Sequence, residues 1–113
     1  MLSDRSRQAL LDICDNIKLA RAFTAGFTAE RFAQDHRTFY AVTRCLEIIS
    51  EASRRLDDDL RVRHSQLPWR AIMAAGNFYR HDYDNIAESF VWRTATESLD
   101  VLLAMAEAEL AGE

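Results

Sequence analysis

The chain has 113 residues and a mass of 13.0 kDa, the size of one domain, and it is long enough to bury about two-thirds of its unfolded surface around a single core. Its 49% apolar and 28% charged residues exclude a disordered chain, and no apolar run comes near the roughly 18 residues of a membrane span. Eighteen acidic against fourteen basic residues leave a net charge of −4, so bulk charge does not draw the chain to nucleic acid, and any such contact needs a local patch.

Only three glycines and one proline punctuate the sequence, which points to long helices. The opening MLSDRSRQALLDICDNI is charged throughout and lacks the apolar centre of a signal peptide. A first helix is expected from about Ser3 to Ala25, capped by Ser3 or Asp4, with Leu10, Ile13, Ile17 and Ala20 or Ala22 as its apolar stripe and Gly26 as its stop. Thr28 then caps a short helical turn to Gln34, with Glu30 in its first turn. A second long helix covers about Asp35 to Leu56, where Phe39, Val42, Leu46, Ile49, Ser53 and Leu56 recur at spacings of three and four.

Residues 57–67 read as a polar linker, and Pro68 marks the start of a short third helix to about Asp82 with Trp69, Ile72, Met73 and Phe78 turned inward. Asp84 or Asn85 opens a last helix running unbroken to about Leu110, with Phe90 or Val91, Ala95, Leu99, Leu102, Ala106 and Leu110 on one side. The fold class is therefore all-α: an antiparallel four-helix bundle with one short extra helical turn, formed by residues 1–113 as a single domain. Cys14 and Cys45 fall in helical patterns and read as core thiols, which suits a reducing cytoplasm.

Most polar features have a plain explanation. Asp57, Asp58 and Asp59 form a solvated charge run at a helix end. Glu47 and Glu51, one turn apart, are expected to pair with Arg44, Arg54 or Arg55 rather than hold a metal, since no Glu-x-x-His accompanies them. His36 and His64 stand near helix ends as surface or capping residues. Thirteen of the fourteen bases are arginine; the guanidinium is the better phosphate ligand, although a GC-rich gene produces the same bias.

One segment differs. GNFYRHDYDN, from Gly76, places Asn77 and His81 one helical turn apart, with Gly76 and Arg80 one turn apart on the next stripe. An imidazole that can move protons beside a guanidinium that can hold a phosphate is a minimal kit for cleaving RNA without a metal. One histidine cannot serve as base and acid together, but two copies facing each other across a two-fold axis can. A polar helix end with an interfacial histidine is the alternative. Arg70 and Arg63 could extend a basic surface.

The order of these features resembles the HepT-like family of the HEPN superfamily. The likeness rests on Thr28-Ala-Glu-Arg-Phe-x-x-Asp35, on LEIISEAS from Leu46 to Ser53, on LPWRAIMAAGN from Leu67 to Asn77, and on His81-Asp82-Tyr83, and it spans about residues 5–110. It implies a small helical protein that forms a homodimer or higher oligomer, uses no metal or cofactor, and acts in the cytoplasm as the endoribonuclease toxin of a type VII toxin–antitoxin pair. It also implies a minimal nucleotidyltransferase antitoxin that silences the toxin by transferring AMP to the motif tyrosine, here Tyr83. On this resemblance His81 is the acid–base residue and Asn77 an orienting donor. The family's motif arginine belongs at 74, 75 or 76, where this chain has Ala74, Ala75 and Gly76. Arg80, one turn beyond Gly76, is expected to replace it as phosphate ligand. The alternatives are an inactive HEPN module that binds a partner or nucleotide, and a purely structural helical dimer.

Overall fold

A computed structural model describes residues 1–81 and 85–113, those at 76–81 and 85–86 by their backbone alone. Every regular element among the described residues is a helix: α1 (Asp4–Thr24), α2 (Ala29–Gln34), α3 (His36–Arg55), α4 (Asp58–Arg63), α5 (Trp69–His81), α6 (Asn85–Glu97) and α7 (Asp100–Ala111). The caps expected at Ser3 and Thr28 form, and Asp35, expected as the first residue of its helix, is a third cap. Ser3, Thr28 and Asp35 accept from the backbone N–H groups of Ser6, Arg31 and Thr38, each filling a donor that the first helical turn leaves open. Gly26 sits at φ +80° after α1, a left-handed conformation that a side chain would resist.

Ion pairs fix the directions. Arg7 at the start of α1 meets Glu113 after α7, Lys18 meets Glu107, and Arg21 near the end of α1 meets Asp100 at the start of α7, so the two helices run antiparallel. The start of α1 also holds the joint after α3: Ser3 Oγ donates to Asp57 at 2.6 Å, and Ser6 Oγ accepts the Asp57 N–H at 3.0 Å. Arg55 reaches Asp12 at 2.9 Å from the last turn of α3, making α1 and α3 antiparallel as well. Between them lie Leu10, Ile13, Ile17, Val42, Leu46 and Ile49, all buried. Ala20 is buried and Ala22 exposed, which decides the end of the α1 stripe. Cys14 and Cys45 are buried free thiols, and burial pushes both above the usual thiol range.

Two expectations are corrected. The stretch expected as a polar linker contains α4, because Leu60 is buried and Arg61 folds back to donate to the carbonyls of Ser53 and Leu56 at the end of α3. Those carbonyls lack the i+4 partner of a continuing helix, Ser53 keeping only the capping N–H of Leu56, so a guanidinium there favours a tight turn into a new helix. The three aspartates thereby change role: Asp57 precedes α4, while Asp58 and Asp59 occupy its first turn, where acids suit the dipole, and pair with Arg61 and Arg63.

The last helix, expected to be continuous, breaks at Ser98–Leu99 into α6 and α7. Ser98 is a poor interior residue, and Asp100 favours the N-terminal turn of a fresh helix. Leu99 and Leu102 stay buried across the break, so the periodicity gives no sign of it. In outline the bundle remains four-membered, with α6 and α7 sharing the fourth place and α2 and α4 as short additions.

The lower end is closed by charge. His64 Nε2 lies 2.6 Å from Glu109 Oε2, and Arg63 donates to the same carboxylate at 3.0 Å, tying the end of α4 to α7. The His64 contact, with help from Arg63, holds the Glu109 carboxyl below its ordinary 4.5. A depressed folded-state value means that the stabilisation is complete above 4.5 and is lost as pH falls through the lower, folded value. Glu109→Gln is therefore expected to flatten the acid limb of the melting temperature below pH 4.5 relative to the wild type, as followed by circular dichroism; an identical acid limb would remove this tie from the account.

Candidate active site

The helix that carries the motif is placed by its first half. Trp69 Nε1 donates to the carbonyls of Arg61 and His64 at 3.1 and 3.0 Å, anchoring the start of α5 beneath α4. One turn on, Ser50 of α3, only 1% exposed, has its hydroxyl 2.8 Å from the Ile72 carbonyl and 2.9 Å from that of Met73. Arg54 donates to the Met73 carbonyl too. In an α-helix these carbonyls are the acceptors for the N–H groups of residues 76 and 77. Ser50 and Arg54 therefore grip α5 where the motif turn begins, which gives the segment Glu47–Ser53 a physical role: it sets the register of α5. The pairing is antiparallel, so α5 climbs from the C-terminal end of α3 towards its N-terminal end.

Helical backbone continues through His81. Asn77 and His81 thus stand one turn apart on one stripe, as do Gly76 and Arg80 on the next. The side chains of Asn77, Arg80 and His81 lie outside the described residues, and Tyr83 lies outside them entirely. The two arginines expected to extend the surface are not brought to this end. Arg70 is exposed in the first turn of α5, about 16 Å along the axis from His81 at 1.5 Å per residue. Arg63 is held by Asp59 and Glu109 at the far end of the bundle.

Beside α5 the bundle does not close fully. A cleft of about 420 Å³ opens between α3, α5, α6 and α7, lined mainly by Leu46, Ile49, Leu67, Ile72, Ala75 and Leu102. Val101 on its rim is 60% exposed. Trp69, Ile72 and Met73 are half-buried, and Phe78, also expected to face inward, has its side chain outside the described residues.

The end of the bundle that α5 approaches is built by α2 and the start of α3. Phe32 of α2 is fully buried, with its ring centroid 6.0 Å from Phe39 and 5.3 Å from Trp92, which ties α2 and α3 to α6. Around the α2–α3 turn, Phe27, Arg31, Gln34, Asp35, His36 and Arg37 line a polar recess of about 510 Å³. The recess adjoins α6: Gln34 also borders a cleft shared with Glu88, Ser89 and Trp92. Asp35 is occupied there as the cap of α3, and its bond from the Thr38 N–H holds its carboxyl below the ordinary range. No local motif marks this recess in the sequence, where His36 reads only as a surface or capping residue. Glu47 and Glu51 both lie near Arg44, at 3.8 and 3.7 Å, as their spacing predicts. Among the described residues no three His, Cys, Asp or Glu side chains converge as metal ligands, and no helix is long and apolar enough to cross a membrane.

Comparison with known proteins gives consistent matches. The sequence profile of the Ribonuclease HepT-like family matches residues 13–109. A Thermococcus cleftensis protein named probable ribonuclease HepT is 34% identical over 82% of this chain and 84% of its own length. A candidate RNase of Methanocaldococcus jannaschii is 31% identical over 87% of this chain and 91% of its own. Another, from Caldanaerobacter subterraneus subsp. tengcongensis, is 31% identical over 68% and 69%. No solved structure matches the chain significantly.

Proposed function

The chain belongs to the ribonuclease HepT-like family, and on that premise we propose that it is a metal-independent endoribonuclease whose reacting groups sit on the last turn of α5. The observation that carries this reading is the family match combined with a helical backbone that sets Asn77 and His81 one turn apart. In the proposed reaction a ribose 2′-oxygen attacks the adjacent phosphorus. The new P–O2′ bond forms as the P–O5′ bond breaks, one imidazole takes the 2′-hydroxyl proton, and a second, protonated imidazole gives a proton to the leaving O5′. Arg80 neutralises the charge that builds on the equatorial phosphate oxygens, and Asn77 orients the phosphate through a hydrogen bond.

Two imidazoles in one site call for two copies of His81, so the acting species is a homodimer about a two-fold axis. The apolar cleft beside α5, with Val101 exposed at its rim, supports a surface available for pairing. The biological role proposed is that of a cytoplasmic toxin acting on RNA, of a type VII pair, restrained by a nucleotidyltransferase antitoxin that transfers AMP to Tyr83. An adenylyl group there adds bulk and a negative phosphodiester at the mouth of the site, where it opposes substrate phosphate.

The absence of arginine at 74–76 favours a second reading, an inactive module that only binds a partner or nucleotide. Induced expression in a bacterial host separates the two. Wild-type chain is expected to arrest growth and fragment cellular RNA, and His81→Ala to do neither at equal soluble level. Normal growth and intact RNA with the wild type would select the inactive module.

A further inference from the structure

Resting on the ribonuclease reading above, we infer that the recess at the α2–α3 turn, with Arg31 and Arg37 as its cations, is a contact surface for the phosphate backbone of the RNA strand leading into the α5 site. The first ground is how the arginines are spent. Arg7, Arg21, Arg44, Arg55, Arg61 and Arg63 are each committed to a carboxylate, and Arg54 to the Met73 carbonyl. Arg31 and Arg37, like Arg5, Arg70 and Arg93, have no ion pair within 4 Å among the described residues, and they differ from those three in lining one recess together. Arg31 and Arg37 are both exposed.

The second ground is the chemistry gathered there. The Arg31 guanidinium lies over the Phe27 ring, 5.1 Å from its centroid, which holds the planar fork in place while leaving its edge donors open. His36 and Gln34 add further donors to the lining. Among the described residues Asp35 is the one carboxylate in the lining; the Thr38 N–H bond engages it first, and the nearby Arg37 and Arg31 charges favour its ionised form to a smaller extent. The combination of forked cations, an aromatic face and amide and imidazole donors is what a single strand of RNA meets on proteins that track its backbone.

Position is the third ground. Ser50 of α3 is level with Ile72 and Met73 of α5, and the helices are antiparallel. At 1.5 Å per residue, His81 therefore stands beside roughly residue 42 of α3, about 8 Å along the axis from Arg37. The recess is at the same end of the bundle as the motif, which is not true of Arg63 or Arg70. An acidic protein surface would also satisfy two guanidiniums, but the approach to the α5 end is where the substrate strand itself must run.

The test measures binding of a fluorescein-labelled single-stranded oligoribonucleotide by anisotropy across a salt series, on a His81→Ala background so that the probe stays intact. Adding Arg31→Ala and Arg37→Ala is expected to weaken binding about tenfold and to reduce the slope of log affinity against log salt by about 1.4, two contacts at 0.7 each. Arg31→Lys with Arg37→Lys keeps the charge and is expected to keep the slope. Melting curves establish that each variant is folded. Unchanged affinity and slope in the folded alanine pair would overturn the inference and leave the recess to a protein partner. RNA binding lost through these arginines in a chain whose wild type cleaves no RNA would uphold the surface while removing the nuclease reading. No RNA binding by the His81→Ala parent would overturn the inference, and cleavage by the wild type would then still uphold the nuclease reading.

Discussion

Replacing Phe32 with alanine is expected to destabilise the fold by about 3–5 kcal/mol, the range for emptying an aromatic site in a packed core. The size of the effect follows from where the ring sits. It belongs to a helix of only six residues, too short to persist on its own backbone bonds, and it is fully buried between Phe39 and Trp92. Without it α2 loses its anchor, and the face of α3 and α6 beneath it opens to water. Phe32→Leu keeps most of the buried area and is expected to cost less than half as much. Urea unfolding of the two variants checks this directly; a loss below about 1 kcal/mol for alanine would mean that α2 is a passenger rather than the clamp at this end of the bundle. Since α2 also forms one wall of the Arg31–Arg37 recess, the alanine variant should lose RNA affinity even where it remains folded.

How much of this was legible in the sequence depends on the range of the forces involved. The ends of α1 and the start of α2 were readable because Ser3, Thr28 and Gly26 act on backbone groups within three residues of themselves, and the capping role of Asp35 at α3 is equally local. The helix α4 was not, since what makes it a helix is remote: the burial of Leu60 and the reach of Arg61 to carbonyls five and eight residues back. The break at Ser98–Leu99 was hidden by a periodicity that survives it. At the site, the Asn77–His81 spacing was visible as a local pattern, whereas the grip of Ser50 and Arg54 on α5 and the recess around Arg31 and Arg37 exist only once α3 has been laid against its neighbours. In particular, no sequence pattern distinguishes an arginine that closes an ion pair, such as Arg44, from one that closes none among the described residues, such as Arg37.

The second large effect concerns Arg80. If it supplies the positive charge that the family places at 74–76, Arg80→Ala should lower RNA cleavage by about 10²–10³-fold, the usual cost of removing one preorganised donor from a developing oxyanion. Melting curves of the variant separate a loss of cleavage from a loss of fold. Arg80→Lys should recover part of the rate, because an ammonium keeps the charge but not the two-pronged fit to phosphate. Cleavage unaffected by the alanine change would show that this family member does without a motif arginine or takes it from elsewhere, with Arg31 and Arg37 the next to examine.

RNA cleavage through His81 without a metal is the proposal on which the other site predictions depend. It is tested most directly by incubating purified protein, wild type against His81→Ala, with end-labelled RNA in excess chelator and identifying the new termini. Cleavage is expected by the wild type alone, leaving 2′,3′-cyclic phosphate and 5′-hydroxyl ends. Intact RNA with folded wild-type protein, or fragments that persist in His81→Ala, would contradict it.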